Sequence, residues 1–289
     1  MDPLDDFRHG ADEAPPIEPE PPRASRAPLW ITAALLLLAA AIVAGVWYVR
    51  SRAANAARTG AGQSMAPVQS EVREPLGPAV EPIELPPLVL TDPLVRELLG
   101  KLSSSPTLAA WLATDGLIRA FAVSVENVAD GMSPAKHLRV LAPRAPFKTV
   151  TEGRTITIDP ASYSRYDGIA NAAASMDPAG LARVYSMLKP RLAEAYAELG
   201  HSGSELDTAV ERAIVRLLQT PVVDGPVTLR SRVLSFKYER EDLEALTAAQ
   251  KQLLRLGPRN QRIVQDEIRA IARELGIPSG RLPPRQAAQ

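Results

Sequence analysis

The sequence predicts a mainly α protein: a multi-helix globular domain with one or two small β-hairpins, preceded by a single transmembrane helix. Three observations predict it. Leu29 to Val49 runs for 21 residues without a charge. From Leu88 onward, apolar residues recur at helical spacing between Gly, Pro and capping-type residues. Two stretches, "PFKTVTEGRTITIDP" and "GPVTLRSRVLSFKY", are instead dense in β-formers around turn residues.

Composition bounds the answer. Of 27 prolines, 13 lie in the first 87 residues, so that part reads as tail and linker rather than core. The roughly 200 residues that remain suffice for one sizeable core. Aromatic residues make up 4% of the chain, which disfavours a large β-sandwich. There is no cysteine, which excludes disulfides, thiolate metal sites and cysteine nucleophiles. The formal charge is zero but unevenly spread. Residues 1–28 carry seven acids and three arginines, whereas residues 88–289 carry 26 basic and 22 acidic side chains. A surplus of four over that length is no electrostatic footprint for a polyanion.

Residues 1–28 read as a disordered acidic, Pro-rich tail. The run "LWITAALLLLAAAIVAGVWYV" (29–49) follows. As a helix its length is roughly 31 Å, matching the ~30 Å hydrocarbon core of a bilayer. Trp30 at one end, and Trp47 with Tyr48 at the other, suit the headgroup zones, and Arg26 and Arg50 close the span. A cleaved signal peptide fits less well. The apolar run is longer than the usual ~7–15 residues, and Arg50 and Arg52 separate it from the A-x-A at Ala54 to Ala56. Arg23 and Arg26 on one side face Arg50, Arg52 and Arg58 on the other, a slight lean toward a cytoplasmic C-terminal side.

Residues 50–87 alternate Ala, Gly, Ser, Glu and Pro and end "PAVEPIELPP". No amphipathic period survives, so they are expected to form a flexible linker reaching roughly 34 Å. The domain then spans 88–277, with a disordered tail over 278–289.

Its first helix lies in "TDPLVRELLGKL", capped by Thr91 or Asp92, with Pro93 in the first turn and a stripe of Leu94, Val95, Leu98, Leu99 and Leu102. A short helix over "SPTLAAWLAT" follows. Thr114 is placed to cap a third, whose face is Ile118, Phe121, Val125 and Val128 and whose stop is Gly131. Thr149 and Thr155 to Ile158 form a hairpin around Glu152–Gly153. Asp159 caps one or two short helices. "DPAGLARVYSMLKPRLAEAYAELG" is the strongest helix: Leu181, Val184, Tyr185, Leu188, Leu192, Tyr196 and Leu199 share a face, Gly200 ends it, and Pro190 is expected to kink or split it. Ser204 with Asp207 resembles a capping box for the next helix, and Thr247 with Gln250 forms another. Between them "GPVTLRSRVLSFKY" supplies a second pair of short strands.

The Thr247–Gln250 helix leads to a helix corner, "LLRLGPRNQRI". Leu246, Ala249, Leu253 and Leu256 share the face before it, and Val264, Ile268, Ile271 and Leu275 the face after it. Gly257 takes the left-handed conformation that ends the first helix, and Pro258 starts the second. Arg259, Asn260, Arg262, Arg269 and Arg273 make a candidate binding face for nucleic acid or another acidic or phosphate-bearing partner. Asp266 is spaced to pair with Arg262 and Arg269, which weakens the basic patch, and the paired glycines of a helix-hairpin-helix are missing.

A second candidate is catalytic. In "GMSPAKHL", Ser133 and Lys136 stand one helical turn apart, a spacing at which an amine can activate a hydroxyl, with His137 alongside. Ser186 and Lys189 repeat the spacing, no S-D-N or K-T-G follows, and Ser133 before Pro134 is equally a helix cap. His9, His137 and His201 have no ligand-spaced partners, so no metal and no cofactor is expected.

The segments "TDPLVRELLGKLSSSPTLAAWLATDGLIRAF", "GMSPAKHLRVLAP", "IDPASYSRYD" and "LTAAQKQLLRLGPRNQRIVQDEIRAI" together resemble the bacterial membrane-anchored family of unknown function numbered three-zero-one-four (DUF3014). The likeness covers roughly residues 85–275. It implies a short cytoplasmic tail, one spanning helix and an envelope-side domain at the inner membrane of a Gram-negative cell, with the C-terminal domain in the periplasm. That orientation opposes the lean of the arginine count. It carries over no catalytic residue. The expected partners are therefore the membrane, through residues 29–49, and a protein of the envelope. An envelope hydrolase at Ser133, or a nucleic-acid binder facing the cytoplasm, stand as alternatives.

Overall fold

A computed structural model describes residues 74–233 and 235–285. The expected spanning helix 29–49, the acidic tail and linker residues 50–73 lie outside the described residues. Among those described, no single helix is long and apolar enough to cross a membrane.

Nine α-helices and four strands follow one another among the described residues. Three helices come first: α1 (Asp92–Gly100), α2 (Pro106–Leu112) and α3 (Leu117–Ala129). The hairpin β1 (Thr149–Glu152) and β2 (Thr155–Ile158) comes next. It leads to α4 (Asp167–Ala174), α5 (Pro178–Ala197) and α6 (Leu206–Leu218). Strands β3 (Thr228–Ser231) and β4 (Phe236–Tyr238) precede α7 (Glu241–Glu244), α8 (Ala248–Leu254) and α9 (Gly257–Glu274).

The two expected hairpins are one sheet. Its order is β1-β2-β3-β4, antiparallel throughout, because β2 also pairs with β3 through Ile156↔Leu229 and Thr157↔Thr228. Period-two patterning turns Ile158, Leu229 and Tyr238 inward, where they pack with Leu243 and Leu254. The main core forms where α3 packs on α5 and α6 and α9 packs on α4, α5 and α6. Leu117, Ile118, Leu188, Leu192, Leu206 and Val210 are buried there.

Several local expectations change. Pro190 does not split α5, which runs its full 20 residues with Pro190 exposed and Leu188 and Leu192 buried on either side. Packing of that face holds the helix across the missing N–H. Thr114 does not cap α3, since its hydroxyl donates to the Trp111 carbonyl. Instead the Asp92 carboxylate accepts the Gly116 and Leu117 N–H groups at 2.7 and 2.9 Å, so an acid of α1 caps α3. Nor does Ser204 open the helix after α5. The capping box is Ser202 with Glu205, two residues earlier, and it opens the 3-10 turn Gly203–Glu205 that leads into α6. The Thr247–Gln250 box, the Asp159 cap and the left-handed Gly131, Gly200 and Gly257 stand where the residue pattern places them.

Both edges of the domain move outward. Residues 74–87, expected as linker, are strapped to the surface. Leu76 is buried, its N–H donates to Asp207 and its carbonyl accepts from Lys189. The Gly77 N–H donates to the Leu275 carbonyl at 2.9 Å. Arg191 holds the Leu85 and Pro86 carbonyls. At the other end, expected as tail, Leu282 packs against the core and Arg285 pairs with Asp266 at 2.8 Å.

Candidate functional site

At the α8–α9 corner, Gly257 has φ +77° and sits against the ring of Tyr163. The polar residues that follow turn inward. Asn260, 2% exposed, donates to the Tyr163 carbonyl and to Asp167. Gln261 donates to the carbonyls of Thr220 and Pro221, and Gln265 to those of Leu217 and Thr220. Gln250 of α8 reaches the Arg216 carbonyl. Three glutamine side chains thus hold carbonyls of the last turn of α6 and of the two residues, Thr220 and Pro221, that follow shortly after it.

The arginines of the corner have local partners. Arg259 donates to Asn260 and lies 3.7 Å from Asp167. Arg262 pairs with Asp224, which holds its guanidinium above the ordinary range through that hydrogen bond. Arg269 donates to the Pro284 carbonyl. Asp266 pairs with Arg285 rather than with the helix neighbours its spacing suggests. Arg273 is exposed. The positive charges are therefore interleaved with Asp167, Asp224 and Asp266 instead of forming one continuous basic face.

The Ser133 hydroxyl caps the 3-10 turn Pro134–Lys136, accepting the Ala135 N–H at 3.3 Å. Lys136 and His137 are exposed. His201 instead contacts Glu126 at 2.9 Å and stacks on Tyr196, whose hydroxyl donates to the same carboxylate. Burial and that hydrogen bond push the Tyr196 phenol upward. Among the described residues no group of three or more His, Cys, Asp or Glu is arranged to hold a metal ion. His9 lies outside them.

The feature without a counterpart in the sequence is a cavity of about 560 Å³ inside the bundle, walled by residues of α1 to α6 and α9. Only Thr107, Ser124 and Tyr185 bring polar side chains to its lining. The Ser124 hydroxyl donates to the Ala120 carbonyl and the Tyr185 hydroxyl to Asp207. One wall comes from residues 131–148, through Pro134, Leu138 and Leu141. The rest of that segment faces outward, with Met132, Val140 and Phe147 exposed. Helical periodicity could not reveal the cavity, because most of its lining residues also read as ordinary members of the apolar stripes.

On the sheet, Phe147 and Phe236 place their ring centroids 5.9 Å apart, each 42% exposed, and the Arg165 guanidinium lies over Phe147. Val150 on β1 and Val233 between β3 and β4 are exposed as well.

Residues 117–272, more than half of the chain, match the family described as "Protein of unknown function (DUF3014)". The chain belongs to that family, in keeping with the resemblance its segments carry. No curated protein and no solved structure matches it.

Proposed function

Proceeding from DUF3014 membership, we propose that this protein is a single-pass, membrane-anchored interaction module. Residues 29–49 span the bacterial inner membrane, and the helical domain works in the periplasm by binding a protein partner, without a cofactor. The observation that carries the reading is the exposed Phe147–Phe236 pair, with Val150 of β1 and Val233 of the β3–β4 turn exposed as well. Large apolar side chains gathered on a solvent-facing surface mark protein interfaces.

The alternatives have less support. A hydrolase at Ser133 would need an activated hydroxyl, and this one serves as a cap beside exposed Lys136 and His137. A nucleic-acid binder would need Arg259, Arg262 and Arg269 free, and each has a local partner.

The test is in-cell photocrosslinking from Phe147 and, as control, from exposed Arg183 on α5. A discrete adduct from position 147 alone is expected. No adduct from 147 in cells whose membranes contain the chain overturns the partner reading. A C-terminal topology reporter active in the periplasm is expected, and one active only in the cytoplasm overturns the orientation.

A further inference from the structure

We infer that the cavity inside the helical bundle binds an amphiphile with one long acyl chain and an anionic head, and that residues 131–148 form the rim that receives the head. This goes beyond the protein-partner reading and does not rest on it: neither Phe147 nor Phe236 lines the cavity, although Phe147 belongs to the same 131–148 segment.

Two independent observations specify the ligand. The first is the lining. Its volume of about 560 Å³ falls within the range of small-molecule sites. The hydroxyls of Ser124 and Tyr185 are committed to Ala120 and Asp207, which leaves Thr107 as the one other lining hydroxyl, so the walls offer an occupant mostly hydrocarbon surface. A dry apolar cavity takes up apolar matter rather than water, which makes the buried part of the ligand a hydrocarbon chain.

The second is the charge of the segment that supplies Pro134, Leu138 and Leu141 to the lining. Residues 131–148 contain Lys136, Arg139, Arg144 and Lys148 and no acidic residue. All four cations are exposed, and none has an ion-pair partner among the described residues. The acid just before the segment, Asp130, is taken by Arg212. Arg165 braces the segment from outside by donating to the Ala145 carbonyl. Several exposed arginines elsewhere on the domain sit beside acids, as Arg119 does with Glu198 and Arg240 with Asp242. Unpaired cations beside Pro134, Leu138 and Leu141, which reach the cavity, suit an anion attached to a chain inside it. A carboxylate and a phosphate monoester share that chemistry.

The experiment uses the full chain in phosphatidylcholine vesicles with a trace of diazirine-bearing palmitate, irradiated and mapped by peptide mass spectrometry. Adducts are expected on cavity-wall peptides containing Leu138, Met176 and Leu188. Adducts confined to residues 29–49, or spread evenly over the domain, overturn the site. Excess palmitate or lysophosphatidic acid should suppress the cavity adducts, and the more potent of the two identifies the head. Suppression by neither, or equal suppression by hexadecanol, overturns the assignment. Inorganic phosphate alone should have no effect. The rim variant K136E/R139E/R144E changes only exposed side chains and should lower cavity labelling by at least about fivefold. Unchanged labelling overturns the role of the rim. Ala173→Phe, which fills the cavity, should also abolish labelling. Should it fail to fold, the rim variant and the hexadecanol comparison still decide.

Discussion

Gly257 packs so closely against Tyr163 that no room is left for a side chain: a Cβ on Gly257 would fall 2.3 Å from Tyr163 Cγ. The glycine also holds φ +77°. Both terms penalise any substitution, one through backbone strain and one through overpacking. Gly257→Ala should therefore lower stability by roughly 2–4 kcal/mol. Gly225→Ala, where nothing lies within 4 Å, should be close to neutral. Thermal unfolding followed by circular dichroism measures both, and equal midpoints for the two variants would contradict the contact.

Tyr163 also predicts a response to alkali. Burial pushes its phenol up to about 12. Burial likewise raises Tyr185, Tyr196 and Tyr238, with hydrogen bonds to Asp207 and Glu126 adding to it at the first two. In each case the fold favours the neutral phenol. Its contribution to stability is complete below the unfolded value of about 10 and is lost as pH rises from there through about 12 and beyond. Phenolate absorbance should lag behind that of free tyrosine and then rise together with unfolding. Ordinary titration near pH 10 with the helices intact would refute this.

What could be read in the residues beforehand is what is local. The stripe of α5, the Thr247–Gln250 box and the left-handed Gly131 and Gly257 depend on neighbours within a turn or two, and all are seen. The cap of α6 was ambiguous because Ser202-x-x-Glu205 and Ser204-x-x-Asp207 overlap, and Asp207 is engaged by partners far away in the chain. The strap over 74–87 was hidden for the same reason. Its Pro-rich composition reads as linker, while the groups that hold it, Lys189, Arg191 and Asp207, lie about a hundred residues downstream. The cavity is a property of how seven helices fail to fill one space, which no single stripe encodes.

Asp207 is the knot of that strap. Its carboxylate accepts the Lys189 ammonium at 2.5 Å, the Tyr185 hydroxyl at 2.6 Å and the Leu76 N–H at 3.0 Å. Asp207→Ala removes three bonds to a charged acceptor at once and should cost roughly 2–3 kcal/mol. Hydrogen exchange gives the sharper readout: amide protection should fall at Leu76 and Gly77 before it falls in α3 or α5. A variant that loses stability with protection at Leu76 and Gly77 unchanged would show that Asp207 does not hold the strap.

The glutamines of α9 predict a coupling. The Thr220 carbonyl accepts from both Gln261 and Gln265. Replacing either by leucine keeps the volume and leaves Thr220 one donor, so each single change should cost about 1–2 kcal/mol. Replacing both strands a buried carbonyl, and that penalty appears only in the double variant. Gln261→Leu with Gln265→Leu should therefore exceed the sum of the singles by at least about 0.5 kcal/mol in a double-mutant cycle. Arg262 offers the contrast. Its pairing with Asp224 is exposed on both sides, so Arg262→Ala should change stability by no more than about 1 kcal/mol. Additive glutamine costs would mean that Thr220 finds another donor. A large cost at Arg262 would mean that the arginines, rather than the amides beneath them, hold the corner together.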